Sequence, residues 1–277
     1  MNLRCVHELL YEGEGITRVY ELYVDSAEVQ NKINNKILEI ASELINKEDD
    51  GIQISNIGPS WHSGITVLED SRLHDVKKLF AHAVRLVENK DADLCNVAPR
   101  VIDEYFLTLE SWLNLTYYGG GNSLHNHAGA CWSGVYYPLI SSSLSCDTGG
   151  QLIFHGKHSI NEDYIFNLSE LSRIIPRRSF TQVDPSDSLT IFPQTGLLII
   201  FPSWLPHRVE PLLPPPSSSD GASYPFFHSR NSSSLCFSPS RLSLAFNFYT
   251  MLPRKSWIYD PYFFLPLHQQ SSWDGHI

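Results

Sequence analysis

Three histidines are the residues of this sequence best suited to binding a metal ion. His125 and His127 stand two positions apart, and in an extended segment residues i and i+2 project to the same face. Both imidazoles could therefore reach one metal ion, and the glycines at 119–121 allow the backbone to turn sharply before them. The alternative is a pair of surface histidines in a loop.

A third histidine, His207, follows the apolar segment 201–206, which reads FPSWLP. A histidine where a strand meets a turn could lie at the open end of a barrel, where ligand-binding sites concentrate. The alternative is an ordinary residue at the end of a strand. We therefore treat His207 as a candidate third ligand.

The segment 241–247, RLSLAFN, alternates between two faces. Arg241 and Ser243 share one face, and Leu242 and Leu244 share the other. If the leucine face packs in a sandwich, Arg241 and Ser243 point into the mouth of a barrel, whereas the opposite arrangement leaves them in solvent. A buried arginine requires an anion, and its planar fork of donors suits a carboxylate. The alternative is an exposed arginine on a strand edge.

The elements that must position these side chains are mostly short strands. Beyond about residue 101, runs of strand-like residues alternate with Gly, Ser or Pro. The predicted strands are Phe106–Tyr118, Gly134–Leu139, Gly150–Phe154, Ser188–Phe192, Gly196–Phe201, His207–Leu213 and Arg241–Thr250. Many short strands at such spacing indicate an antiparallel sandwich or barrel rather than βαβ units.

The first hundred residues have a different pattern. A strand is predicted over Thr17–Val24, and two amphipathic helices over Ser26–Asn46 and Ser71–Asn89, with Ser26 able to cap the first. Asn56–Ser63 is predicted to be a loop. Each helix needs a surface to cover, so we expect a mainly β protein with flanking helices, whose core is a double-stranded β-helix of the jelly-roll or cupin type.

Composition and charge exclude several classes of protein. With 42% hydrophobic and 18% charged residues, the chain of 277 residues is not disordered as a whole. A formal net charge of −10 argues against a nucleic-acid-binding protein, which needs a basic surface. The five cysteines show no CxxC spacing, so structural zinc or a disulfide framework is not expected. With neither a signal peptide nor a membrane span in the sequence, we expect an intracellular, cytoplasmic protein without a membrane partner.

Taken in order, these residues resemble the Fe(II)/2-oxoglutarate-dependent oxygenase superfamily. The stronger similarity is to its subgroup of "putative 2OG-Fe(II) oxygenases", with the pattern H-x-H…H…R-x-S, over roughly residues 110–250. The matching residues are Trp112, Asn114, Gly120, Asn122, His125, His127, Ser133, Gly134, Tyr136, Tyr137, Gly150, Leu152, Phe154, Pro193, Gly196, Leu198, Phe201–Trp204, His207, Val209, Pro211, Arg241, Ser243, Phe246 and Asn247. The segment at 60–63, SWHS, is similar to the subgroup's tryptophan-containing N-terminal segment.

The resemblance implies a role for each candidate residue. His125, His127 and His207 would be the catalytic metal ligands for Fe(II), and 2-oxoglutarate and O2 would bind beside them. Arg241 would pair with the distal carboxylate of 2-oxoglutarate. The further co-substrate-binding residues would be Ser243, Tyr137, Tyr117 and Asn114. The expected activity is that of a dioxygenase that hydroxylates a substrate and releases succinate and CO2.

Two departures from the superfamily pattern keep alternatives open. His127 stands where the superfamily has a carboxylate, and a three-histidine face also occurs in zinc sites and in cupin-type enzymes that use no 2-oxoglutarate. Arg241 lies much further beyond His207 than in relatives, because a Pro/Ser-rich insertion at 213–240 separates them. A third alternative, beside the oxygenase and the three-histidine enzyme, is a jelly-roll binding module without catalytic activity.

The expected organisation has three parts. Residues 1–100 would form an N-terminal helical or α+β segment that packs on the core. Residues 101–256 would form the oxygenase core with its insertion, and residues 257–277 an aromatic C-terminal tail.

Overall fold

The computed structural model describes residues 1–11, 15–47, 51–52, 54–96, 108–127, 129–140, 148–156, 188–213 and 241–249. Residues 214–240 of the predicted insertion and the tail at 257–277 lie outside the described residues, so both stay predictions. None of the described helices combines the length and the apolar character needed to cross a membrane.

Two antiparallel sheets form the described core. The strands are β1 (Asn2–Tyr11), β2 (Gly15–Tyr23), β3 (Asn56–Ile57), β4 (Ser60–His62), β5 (Thr108–Thr116), β6 (Gly121–His125), β7 (Trp132–Ile140), β8 (Leu152–His155), β9 (Ser188–Ile191), β10 (Leu197–Pro202), β11 (His207–Val209) and β12 (Arg241–Tyr249). The major sheet has the order β1-β2-β10-β7-β12-β5-β4, and the minor sheet has the order β3-β6-β11-β8-β9. Strands β5, β7, β10 and β12 lie in the major sheet and β6, β8, β9 and β11 lie in the minor sheet. Together they form a jelly roll, and the predicted fold class is confirmed.

The two helices cover the outer face of the major sheet. They are α1 (Ala27–Lys47) and α2 (His74–Cys95), and two short 3-10 turns, Val67–Glu69 and Ser71–Leu73, precede α2. The backbone N–H of Val29 donates to Ser26 Oγ at 3.3 Å, as the predicted cap requires. Helix α2 runs six residues beyond the predicted end, to a left-handed Asn96 with φ of 55°.

Side chains of the major sheet alternate between two hydrophobic cores. The outer core joins the sheet to the helices, and its large buried residues include Tyr20, Leu113, Tyr136, Leu242, Leu244 and Phe246 from strands and Ile37, Phe80 and Val84 from helices. The inner core lies between the sheets and includes Val135, Tyr137, Leu152, Phe154, Ile199 and Phe201. Position 134 must be a glycine, because a Cβ at this position would lie 2.3 Å from the ring of Phe246 in the outer core.

The orientation of β12 matches neither of the two arrangements considered from the sequence. Leu242 and Leu244 pack under the helices, not within the sandwich between the sheets. The opposite face carries Arg241 and Ser243, which are 2% and 1% exposed. These two polar side chains therefore point into the space between the sheets even though the leucines lie outside it.

The N-terminal segment also adds strands to both sheets. Strands β1 and β2 extend the major sheet beside β10, and β3 joins the minor sheet beside β6. The predicted loop Asn56–Ser63 is wrong in part, because it contains β3 and β4. Two- and three-residue strands have too few positions to show an alternating pattern, and only their pairing with β6 and β5 defines them.

Candidate metal and co-substrate site

The three candidate histidines come from two neighbouring strands of the minor sheet and the turn beyond one of them. His125 ends β6, His207 begins β11, and the two are directly paired across the strands. His127 lies two residues beyond β6, and its backbone N–H donates to the carbonyl of Ser203 at 2.8 Å. The i, i+2 spacing thus brings His127 beside His125 through a turn rather than along a continuous strand.

The three imidazoles face one another closely enough to hold one ion. Their candidate ligand nitrogens all lie within 4.8 Å of one another. The ring centres of His125 and His207 are 4.4 Å apart, and His127 is 5.0 Å from the first and 5.1 Å from the second. Within the described ranges, no carboxylate or thiol joins this group.

Backbone carbonyls orient two of the three rings. Nδ1 of His125 donates to the carbonyl of Ser123 at 2.7 Å, and Nδ1 of His207 donates to the carbonyl of Leu205 at 2.9 Å. Each bond fixes the tautomer and leaves the Nε2 lone pair for a metal ion.

The surroundings of the histidines favour their neutral form. Burial lowers the pKa of His125 below its ordinary value, and burial together with the neighbouring imidazoles holds the pKa of His127 and of His207 well below it. Neutral imidazole is the form that binds a metal ion, so the site is prepared for ligation at neutral pH.

Arg241 lies on the major sheet, across the cavity from the minor sheet that carries the histidines. Its Nη2 donates to the Tyr137 hydroxyl at 3.1 Å, and its guanidinium carbon is 4.9 Å from the centre of the Tyr137 ring. Its Nε is buried and has no hydrogen-bond partner among the described residues. A buried cation with an unused donor needs an anionic partner, and no described carboxylate forms an ion pair with it.

Two neighbouring side chains on β5 also carry unused polar atoms. Asn114 Oδ1 and Thr116 Oγ1 are buried without a hydrogen-bond partner among the described residues. Thr116 is paired with Arg241, and Asn114 with Ser243, so these side chains share one face of the sheet. A carboxylate beside Arg241 would have the Tyr137 and Thr116 hydroxyls as further donors.

One cavity connects the histidines with Arg241. Its lining residues are Ser55, Trp112, Asn114, Asn122, His125, His127, Gly134, Val135, Leu152, Phe201, His207, Arg241, Ser243 and Ala245. Arg241 is the only charged side chain among these described residues. The donor set fits Fe(II) at the three histidines and 2-oxoglutarate between them and Arg241.

Most of the residues predicted for the site come together, but one does not. Tyr117 packs against the outer core and is absent from the cavity lining described above. Tyr137, in contrast, contacts Arg241 directly. The roles of the individual residues stay predictions.

Sequence reasoning assigned no role to several residues at the site. Thr116, Asn122, Ser55 and Trp112 lie in or beside the cavity. Alternation along the predicted strand Phe106–Tyr118 places Trp112, Asn114 and Thr116 on one face, so this signal was available in the sequence.

Residues 110–215 match the family described as "Putative 2OG-Fe(II) oxygenase". No curated protein matches the chain significantly.

Several solved structures are similar to this chain at low sequence identity. A prolyl-4-hydroxylase from Pseudomonas putida is 14% identical, with a TM-score of 0.47, over 84% of this chain and 92% of that chain. HygX from Streptomyces hygroscopicus, crystallised with nickel and 2-oxoglutarate, is 12% identical, with a TM-score of 0.46, over 85% and 84% of the two chains. EvdO2 from Micromonospora carbonacea var. aurantiaca is 11% identical, with a TM-score of 0.42, over 85% and 89%.

The family match covers the three histidines and the β5 residues that face Arg241. It confirms the resemblance read from the sequence motifs, together with the Fe(II) and 2-oxoglutarate that the family uses. Residues 110–215 of this chain are therefore similar in sequence to the 2OG-Fe(II) oxygenases.

Proposed function

We propose that this protein hydroxylates a prime substrate in a reaction that consumes 2-oxoglutarate and O2 and releases succinate and CO2. The observation that carries the proposal is one cavity with a three-imidazole group at one wall and, at the other, a buried arginine for which the described residues supply no anion. Fe(II) bound by His125, His127 and His207 would supply the oxidative chemistry. The protein's own residues would bind and orient the substrates and would exclude water from the site.

The polar residues beside Arg241 would select the co-substrate. The guanidinium would pair with the distal carboxylate of 2-oxoglutarate. The hydroxyl of Tyr137, 3.1 Å from Nη2, would fix the orientation of the guanidinium. Thr116, Asn114 and Ser243 would complete the polar wall. Apolar side chains such as Val135, Leu152 and Phe201 also line the cavity and strengthen these charge interactions by keeping water out.

One observation favours a second candidate function. No described carboxylate joins the three histidines, and three neutral ligands leave a bound divalent ion one charge unit more positive than the usual two histidines and one carboxylate. A metalloenzyme that uses no 2-oxoglutarate would have the same histidine arrangement. It would have no need for Arg241.

Uncoupled turnover separates the two candidates. The metal-free protein is reconstituted with Fe(II) under anaerobic conditions, 2-oxoglutarate and then O2 are added, and succinate is measured. We expect succinate from the wild type and little from Arg241→Ala, which keeps the histidines. Equal succinate from both proteins, or none from either despite full iron loading, contradicts the proposal.

The metal assignment has its own test. Replacing a ligand should lower iron affinity at least as much as the roughly 10–100-fold typical of residues that only support a ligand. His127→Ala should therefore lose most bound iron, while Tyr117→Phe, which changes a residue outside the cavity lining, should keep it. Full iron occupancy in His127→Ala would remove His127 from the site.

A further inference from the structure

We propose that His62 and Trp112 are positioning residues, whose stacked rings hold the His127 ring in its metal-binding orientation. The proposal rests on the assignment of His127 as a metal ligand made above. It adds a residue from the N-terminal segment, outside the matched family region, to the metal site.

His127 differs from the other two histidines in how its ring is supported. The rings of His125 and His207 are each tied to a backbone carbonyl through Nδ1. For His127, hydrogen bonding within the described residues is confined to its backbone. Since metal-bound imidazoles need an orienting partner to keep their geometry, something else must support this ring.

Trp112 is in a position to give that support. Its ring centre lies 5.4 Å from the centre of the His127 ring, with the two planes at 55°. Trp112 is 8% exposed and lies on β5, which is paired on both sides, with β12 and with β4. A large aromatic side chain on such a strand limits the rotation of an imidazole that packs against it.

His62 holds the tryptophan in turn. Its ring is stacked on Trp112, with centres 5.7 Å apart and planes at 10°. His62 is 3% exposed, and its Nδ1 donates to the carbonyl of Ser63 at 2.5 Å. The contacts therefore run from His62 through Trp112 to His127.

The backbone around His62 is firmly attached to β5. His62 is paired with Asn114, and the Ser63 N–H donates to the Leu113 carbonyl at 3.0 Å. The Leu113 N–H in return donates to Ser63 Oγ at 2.9 Å. Because both strands carry these bonds, the two stacked rings cannot move independently of the sheet.

Co(II) affinity and its visible spectrum test the proposal without turnover. Removing the stack with His62→Ala or Trp112→Leu should weaken Co(II) binding by roughly 10–100-fold, the cost of losing a residue that orients a ligand. Both should also change the Co(II) absorption bands, which report ligand geometry. His62→Phe keeps an aromatic ring and should stay within about threefold of the wild type, as a conservative replacement of a packing contact.

Trp61→Phe is the matched control. Trp61 precedes His62 on β4 and packs in the outer core beneath the helices, so it is buried without facing the metal site. This variant should lower the unfolding temperature of the metal-free protein but leave Co(II) affinity and spectrum unchanged. The unfolding temperatures of all variants distinguish a loosened site from a destabilised fold.

A double mutant tests whether His62 acts through Trp112. In the Trp112→Leu background, the further change His62→Ala should have no effect on Co(II) affinity, because the contact that transmits it is gone. Wild-type affinity and spectrum in His62→Ala, or full additivity in the double mutant, would overturn the proposal. If His127→Ala keeps Co(II), the metal assignment fails and the positioning role fails with it, whereas loss of Co(II) in His127→Ala beside wild-type binding in His62→Ala would overturn the positioning role alone.

Discussion

The buried polar groups on the two faces of the major sheet differ in their hydrogen bonding. On the helix side, the Tyr136 hydroxyl donates to Asn34 Oδ1 at 2.7 Å, and Trp132 Nε1 donates to Glu88 Oε2 at 2.8 Å. Each of these bonds joins a strand to a helix. The polar groups on this face therefore fix the helices on the sheet.

On the cavity side of the same sheet, several buried polar atoms lack partners among the described residues. They are Arg241 Nε on β12 and, on β5, Asn114 Oδ1 and Thr116 Oγ1. A buried polar atom without a partner costs about 1–3 kcal/mol. A fold can tolerate several such atoms together where a ligand satisfies their hydrogen bonds. Their grouping on the cavity side therefore marks that side, and not the helix side, as a place for a ligand.

The largest effect is expected on the helix side. Phe246 is fully buried and stacks on Phe80 of α2 with ring centres 4.9 Å apart. Phe246→Ala should lower the free energy of unfolding by about 3–5 kcal/mol, because it removes a large side chain and leaves a cavity. Urea denaturation measures this loss.

The folded Phe246→Ala protein should bind Co(II) and 2-oxoglutarate as the wild type does. Weaker binding in conditions where circular dichroism shows full folding would mean that the two faces are coupled through the sheet.

The next effect is expected on the cavity side. Arg241→Met should weaken 2-oxoglutarate binding by about 10- to 150-fold, which corresponds to the roughly 1.5–3 kcal/mol of a charged hydrogen bond. The free energy of unfolding without ligand should not fall, because the variant removes a buried cation that has no anion. Arg241→Lys should be intermediate, since an ammonium keeps the charge but loses the planar fork.

Ligand-induced stabilisation is the measurement for Arg241. Excess 2-oxoglutarate should raise the unfolding temperature of the Fe(II)-loaded, anaerobic wild type but not that of Arg241→Met. A large loss of ligand-free stability in Arg241→Met would mean that the arginine stabilises the fold and does not serve co-substrate binding.

Acid should destabilise the minor sheet of the metal-free protein. Burial and the neighbouring Arg208 lower the pKa of His155 to about 4. Between pH 6.5 and 4 the unfolded chain binds a proton at this position that the folded chain does not, so the free energy of unfolding falls as the pH falls. This contribution ends below pH 4, where the folded protein is protonated too.

The variant His155→Gln isolates this residue from the three candidate ligands. Over the same window it should reduce the slope of the unfolding free energy by up to about 1.4 kcal/mol per pH unit, the value for one proton. Denaturant titrations at several pH values measure the slope. An unchanged slope would show that His155 titrates alike in both states.

The sequence predicted the strands and helices better than it predicted which face of a strand points into the cavity. Alternation along 241–247 correctly paired Arg241 with Ser243 and the two leucines with each other. It could not say which set lies in the cavity, because both faces of this strand are buried. The helices, which cover the leucine side, decide that outcome.

Contacts between distant segments were outside the reach of sequence patterns. The His62–Trp112 stack joins residues fifty positions apart and depends on the pairing of β4, a three-residue strand, with β5. Strand β1 was not predicted at all; it pairs with β2 on one side only and lies at the edge of the major sheet. In contrast, the grouping of His125 with His127 was predictable, because their i, i+2 spacing is a local feature, whereas the distant His207 was joined to them through the resemblance to the oxygenase family.

The smallest effects should separate the two faces at adjacent residues. Tyr136 and Tyr137 are both fully buried on β7, but the first hydroxyl donates to Asn34 and the second accepts from Arg241. Tyr136→Phe should lower the free energy of unfolding by about 0.5–1.5 kcal/mol, the net contribution of one hydrogen bond, and leave 2-oxoglutarate affinity unchanged. Tyr137→Phe should instead lower 2-oxoglutarate affinity by about 2- to 13-fold for the same energy, and it should also lower the unfolding free energy, because it removes the acceptor of Arg241 Nη2. Parallel urea denaturation and anaerobic 2-oxoglutarate titration of the two variants measure both quantities. Unchanged 2-oxoglutarate affinity in Tyr137→Phe would mean that the Tyr137 hydroxyl, like that of Tyr136, serves the fold rather than the co-substrate.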